Sequence, residues 1–530
     1  MLQNLQNKLQ SKFFAISSSS IPRRAVSSPS GEWFFKAKTE TPQTHPRQAQ
    51  TRRTVKKPFD GIETVMLSAR NRTRISLYCA VCWISIAFSL VSGCAALKAA
   101  ATYTQEKPIV RGVRAFGGGN ETAPPIILLK NDDTPAQTNT GEAVGSSFVT
   151  VEVDMQTKTF PNFSVQFVHC DALWRENPNN IIINNPMLRT TLVDVRQASF
   201  ISKYFTHRAS FSVPNSEVKF KFSGNWKAKI YETSDLNTPI AEARFFVVEQ
   251  VGRCDVGLIS DLYRPKINGA SSAAYILEAS IQAPPEYIDD FFQTVMIFRN
   301  HRWNEPRIIT QNPVLGRTEM LYNNAATTTV LGFTSAQKRF RIAGIPAEHE
   351  YRILDISNPA FAPASSNPLR PMIADLRRNG VMPLARDGSI LYADDGAMRT
   401  RNVPMNDDEY VYVEFVLDPE NIPSSQEIFA VGSFNNWQAS PAWKLEYNKE
   451  ERLYKLRQWI RRGRHNYMYA TGRINAATQA VENVSFEECE GNTLSTNQTF
   501  YALFYYQNPN SGRYDALYGV AAVNARRRTR

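Results

Sequence analysis

Apolar and polar residues alternate with a period of two through much of the chain, and that period marks strands half-buried on one face. Val149, Val151, Val153 and Met155 alternate with Thr150, Glu152 and Asp154. Phe163, Val165, Phe167 and His169 repeat the pattern, and Val218, Phe220 and Phe222 alternate with Lys219 and Lys221. After the turn residues Ser223-Gly224-Asn225, Trp226, Ala228 and Ile230 alternate with Lys227 and Lys229. The segment closes on the apolar run Phe245-Phe246-Val247-Val248. Short strands separated by turn signals predict a β-sandwich over residues 147–249.

Two further pieces follow. Over 250–405, strand-like runs stand at Ala274–Ile281, Thr294–Phe298 and Thr328–Phe333, joined by Pro- and Asn-rich connections. They predict a second β-rich domain, with the proline-dense stretch Asn358–Pro371 as a loop. Over 406–523, strands are expected at Tyr410–Leu417, Glu427–Gly432, Leu453–Leu456, Tyr467–Tyr469 and Phe500–Tyr506. No short-period repeat and no long amphipathic helix is visible. The fold class is all-β, with tandem immunoglobulin-like sandwiches.

Ahead of the sandwiches lies a segment of another kind. Ile75 to Gly93 is apolar and uncharged, is preceded by Arg70, Arg72 and Arg74, and ends in Leu90-Val91-Ser92-Gly93-Cys94. A basic start, an apolar middle and small residues at the end make a secretory signal peptide. The ending resembles a bacterial lipobox, which implies diacylglycerol on the Cys94 thiol and cleavage before it. A single membrane-spanning helix is the competing reading, since a span takes about 20 apolar residues. The signal covers 66–93. Residues 1–65 are Ser-, Gln- and Lys/Arg-rich without a core pattern: either Met66 is the true start, or they form a disordered cytoplasmic extension. Residues 94–146, with Gly117-Gly118-Gly119 and Pro124-Pro125, read as a flexible tether in which Ile126–Leu129 is a short strand docking on the body.

The formal charge of +12 points first to a nucleic-acid partner, and its distribution removes that reading. Residues 1–93 hold 14 basic and four acidic residues, leaving 47 against 45 in the rest. A near-neutral body has no footprint for polyanions; the basic tail 524–530 reads as a frayed terminus. Of six cysteines only Cys170, Cys254 and Cys489 lie in the body, so at most one internal disulfide is available. There is no phosphate-binding Gly-rich loop, no nucleophile elbow and no histidine set with metal-ligand spacing. His169 and Cys170 are strand neighbours and point to opposite faces. No enzyme, cofactor or metal is expected.

Four segments carry a family resemblance. They are His169-Cys170-Asp171-Ala172-Leu173-Trp174; Gly224-Asn225-Trp226-Lys227-Ala228-Lys229-Ile230-Tyr231 with Arg244-Phe245-Phe246-Val247; Phe298-Arg299-Asn300-His301-Arg302-Trp303-Asn304; and Tyr501–Tyr506 leading to Gly512-Arg513-Tyr514-Asp515 and Leu517–Val520. In this order and spacing the chain resembles the plug protein of the bacterial type IX secretion system, departing from its pattern at Leu173, His301 and Asn304. The resemblance spans 147–523. It implies a non-enzymatic plug, anchored in the periplasm to the outer membrane by lipidated Cys94, that seals the periplasmic end of a very large outer-membrane β-barrel when no cargo is engaged. The last domain also resembles glycogen- and starch-binding modules of the early-set immunoglobulin class, through Val431-Gly432-Ser433-Phe434-Asn435-Asn436-Trp437 and Trp443. That implies an alternative, a glucan-binding outer-membrane lipoprotein. Candidate contacts to a partner or a glycan are Trp174, Trp303, Phe434, Asn435 and Trp437, weighed against a role as core.

Overall fold

The computed structural model describes residues 107–129, 144–183, 187–261, 266–267, 270–271, 273–287, 291–312, 327–334, 337–363, 365–378, 394–400, 409–420, 424–494, 496–510 and 512–525. Cys94, the apolar run before it, residues 1–65 and the basic tail from 526 lie outside these. The described chain is almost entirely β, in packed sheets.

The first sandwich faces a four-stranded sheet against a five-stranded one. The first sheet runs in the order Ile109–Gly117, Val149–Gln156, His207–Val213, Asp194–Gln197, all antiparallel. The second runs Ile126–Leu129, Ala241–Glu249, Gly224–Glu232, Phe163–Cys170, Arg189–Thr190, with Ile126–Leu129 parallel to its neighbour. Val149, Val151, Val153 and Met155 pack inward against Phe163, Val165 and Phe167, as the alternation requires. Ile109–Gly117 falls in the segment read as tether and is instead a nine-residue strand. Its glycines and arginines disguise it, and its pairing to Val149–Gln156 supplies what its own pattern lacks. In the reverse sense, Val218–Phe222 alternates yet forms no strand: Val218 and Phe220 are buried from a loop.

The second sandwich joins two four-stranded sheets. One is ordered Arg253–Asp261, Ala274–Gln282, Gln337–Pro346, Thr327–Thr334; the other Arg307–Thr310, Phe292–Arg299, Thr499–Asn508, Tyr514–Asn524. Tyr275 meets Phe500 and Phe340 meets Phe504 across the gap between them. The aromatic run Phe500–Tyr506 therefore pairs with Phe292–Arg299 here, not with the strands that precede it in sequence.

The third domain is inserted between Gln337–Pro346 and Thr499–Asn508 of that sandwich. Its strands run Arg352–Asp355, Arg464–Ile474, Glu427–Gly432, Lys444–Asn448, Leu453–Arg461, Tyr410–Asp418, Asp375–Leu376, with Val481–Ser485 also on Arg464–Ile474. Lys444–Asn448 pairs by its first residues with Glu427–Gly432 and by its last with Leu453–Arg461, so it turns the corner from one face of the domain to the other. The two connections to the parent sandwich lie side by side, joined by a hydrogen bond from the Gln498 side-chain amide to the Glu348 carbonyl at 2.9 Å.

Candidate functional site

The segments that carry the family resemblance are far apart in sequence and meet at the junction of the first two sandwiches. The turn after Phe163–Cys170 is shaped by Asp171, whose carboxylate accepts from the Leu173 and Arg175 amides at 2.9 and 2.8 Å. It places Trp174 in the left-handed region at φ 65°, a conformation costly for a bulky residue and held here by packing. The Ala172 amide donates to the Asp515 carboxylate at 3.0 Å, across to the last hairpin. Asn225 is fully buried; its side-chain amide donates to the Asp171 and Ala172 carbonyls and its oxygen accepts from the Tyr505 hydroxyl at 2.7 Å. Gly224 beside it has φ 135°, and a Cβ there would meet the His169 ring at 2.3 Å and the Asp515 carbonyl at 2.8 Å, so only glycine fits.

An aromatic cluster completes the junction. Trp174 packs on Phe246 (ring centres 5.3 Å apart), Phe246 on Phe298, and Trp303 on Phe246, Phe298 and Tyr501. His169 points into the first sandwich, edge-on to Trp226, and burial holds it neutral, down to about 4. Cys170 points the other way, into the junction, where burial pushes its thiol up to about 12. A thiol so protected is a packing group rather than a nucleophile. Cys254 and Cys489 are also free.

The turn Asn300–Asn304 reaches from the second sandwich into the third domain. Arg302 is buried, with its guanidinium over the rings of Phe486 (4.5 Å), Trp437 (4.7 Å) and Tyr351 (5.4 Å). It pairs with Glu348 at 2.6 Å, and Arg299 pairs with the same carboxylate at 2.5 Å. Burial alone would raise Glu348; the two arginines outweigh it and hold the group at about 2.

Each candidate contact residue can now be placed. Trp437 is 1% exposed, donates from its indole nitrogen to the Gly396 carbonyl at 2.9 Å and lies between Tyr351 and Arg302, so it presents no face to a sugar. Trp174 is 8% exposed. Phe434 is half-buried and stacks on Trp443, 4.7 Å between ring centres. Asn435 caps its own turn, accepting from the Gly432 amide and donating to the Ala430 carbonyl. Trp303 is half-buried in the aromatic cluster. The structure gathers Trp174 and Trp303 at the first junction and Phe434, Asn435 and Trp437 in the third domain, where aromatic packing accounts for each ring.

A second junction, between the first sandwich and the third domain, is made of charge. Asp154 is 2% exposed and takes a two-pronged ion pair from Arg208 at 2.5 and 3.0 Å and a hydrogen bond from the Tyr410 hydroxyl at 2.8 Å. Glu152 accepts from Arg114 and Arg461, each at 2.8 Å, and Arg208 also pairs with Glu409. Burial would raise both carboxyls, yet Arg461 with its neighbouring arginines keeps Glu152 and Asp154 at about 2. The alternation placed Glu152 and Asp154 on a polar outer face; that face is covered by the third domain. The one local sign is two acidic residues on a single face of a strand, which a solvated edge shares.

Among the described residues no group of histidine, cysteine and carboxylate side chains is placed to hold a metal ion. A surface cavity of about 700 Å³ beside Phe163–Cys170 is lined by Lys229 and Glu176, paired with each other at 2.6 Å, and by Arg189. What the molecule offers at its junctions is rigid docking of three sandwiches.

Residues 125–249 match the family model described as the type 9 secretion system plug protein 1st domain. The first sandwich is thus an all-β domain of the type IX secretion plug class. Residues 125–249 carry this likeness to the plug family, and the rest of the chain lies outside the match. The fold is similar to the crystal structure of a hypothetical protein from Parabacteroides merdae, with a TM-score of 0.59 and 19% identity over 79% of this chain and 98% of that one, a likeness of fold alone. No curated protein matches.

Proposed function

We propose that the chain is a non-enzymatic plug that closes the periplasmic end of the type IX outer-membrane translocon barrel when no cargo is engaged, and that lipid on Cys94 holds it to the outer membrane. The observation that carries this reading is the match of the first sandwich to the plug family. The construction of the body agrees with it: three sandwiches joined through buried side chains behave as one stiff block, and an occluding part needs bulk and rigidity rather than chemistry. A tether on an anchored lipid raises the effective concentration of such a block at a pore mouth without any new contact. The glucan-binding reading loses its main support, because Trp437 is sealed beneath Tyr351 and Arg302.

The test is an affinity pull-down of the tagged protein from native outer membranes, with co-purifying proteins identified by mass. Near-stoichiometric recovery of a very large β-barrel, lost when cargo fills the channel, is the expected result. Recovery alone, or with polysaccharide-degrading enzymes and no such barrel, would overturn it.

A further inference from the structure

One end of the first sandwich gathers exposed apolar side chains on its loops. Strand register defines that end: Ile109 opposite Gln156, Met155 opposite His207, Phe163 opposite Glu232. Three loops close it, over 157–162, 198–206 and 233–240. They expose Phe160, Phe200, Ile201 and Leu236, and Ile109 stands exposed beside them; Phe200 is 99% exposed. Soluble surfaces carry single apolar residues, but several large ones gathered on adjacent loop tips mark a contact. The loops hold two lysines, Lys158 and Lys203, the latter donating to the Ser366 hydroxyl at 3.2 Å, against one carboxylate, Asp235, which Lys107 pairs at 3.0 Å. Apolar tips ringed by a net positive charge fit an anionic lipid surface, with the rings at the headgroup–acyl boundary and the lysines at the phosphates.

The path of the chain points the same way. The body begins at this end, with Lys107 leading into Ile109–Gly117. The opposite end of the sheet, at Val149 and Val213, lies about 23 Å away along the strands. On that side, at Cys170, Gly224 and Val247, the second sandwich packs. The end near the tether is therefore the one left to meet a membrane, beside the third domain on which Tyr204 and Lys203 of loop 198–206 pack.

We propose that these loop tips rest in the lipid surface of the membrane to which the chain is anchored, so that the first sandwich is fixed in orientation as well as in place. This rests on the lipid-anchor reading above for the source of the membrane. Docking at two points, an acyl chain and a set of apolar tips, stops the block from tumbling on its tether.

Hydrogen–deuterium exchange of the full-length protein, in detergent and after reconstitution into phosphatidylethanolamine–phosphatidylglycerol vesicles, tests it, with intact mass reporting lipid at Cys94. The expected result is several-fold slower exchange in loops 157–162, 198–206 and 233–240 on vesicles, with loop 214–223 at the far end unchanged. The variant F160S/F200S/I201S/L236S, altered only at exposed positions, should keep its lipid and lose that protection. Unprotected loops in a protein that carries the diacylglyceryl mass overturn the inference and leave the anchor standing. Protection that appears only when barrel protein is added overturns it in favour of a protein partner. If Cys94 carries no lipid the anchor reading fails, and protection on added vesicles still decides the docking of the loops.

Discussion

The first sandwich is gripped from two sides by different physics. Toward the second sandwich it presents Cys170, Ala172, Trp174, Phe246 and Val248, which bury against Met296, Phe298, Leu503, Tyr505 and Val520. Toward the third domain it presents Glu152, Asp154 and Arg208, which meet Glu409, Tyr410 and Arg461. The apolar junction gains by removing surface from water, at about 25 cal/mol per Å², and is tolerant of direction. The charged junction gains little net, since desolvation offsets Coulomb attraction, but every partner must be in place. The first makes two sandwiches into one core; the second sets the angle at which an inserted domain sits.

The comparison can be broken by removing one group from each side. Phe246→Ala takes the central ring out of the aromatic cluster and should cost about 3–5 kcal/mol, measured by urea unfolding, with little dependence on salt. Arg461→Ala leaves Glu152 and Asp154 buried with fewer cations. Its cost should be about 3 kcal/mol, at the low end for a broken buried pair because Arg114 and Arg208 remain.

Acid should separate the interior of the first sandwich from the charged junction more gently. His169 is held neutral by burial, down to about 4, while an unfolded histidine titrates near 6.5. Below that value the unfolded chain binds the extra proton, so stability falls as pH drops from 6.5 to 4, and His169→Gln should flatten its share of that slope. Glu152 is held at about 2 against an ordinary 4.5. Its contribution is fully present above 4.5 and is lost as pH falls toward 2, so Glu152→Gln should destabilise most above 4.5 and flatten the pH dependence only in that lower window. A shared window for both variants in pH-dependent thermal unfolding would contradict the division.

Much of the β character was legible because inward positions alternate: Val149–Gln156, Phe163–Cys170 and Gly224–Glu232 stand where the pattern put them. Ile109–Gly117 was hidden because its outward side is covered too, by arginines that pair rather than by apolar residues. Trp174, Trp303 and Trp437 were visible as aromatics in turns. Whether such a ring faces a partner or a neighbouring domain depends on what packs over it, which no local pattern records.

By itself the sequence determined most of the strand-forming segments and the face those strands turn inward, because these follow from side chains acting through near neighbours. Only the tertiary structure decided which strands share a sheet. Thr499–Asn508 pairs with Phe292–Arg299 some two hundred residues earlier, and the third domain is an insertion. It alone turned Asp154 from a surface carboxylate into the centre of an ionic junction. The physical reason is the same in both cases: backbone hydrogen bonds and desolvation do not depend on distance along the chain, and alternation carries no label for the partner.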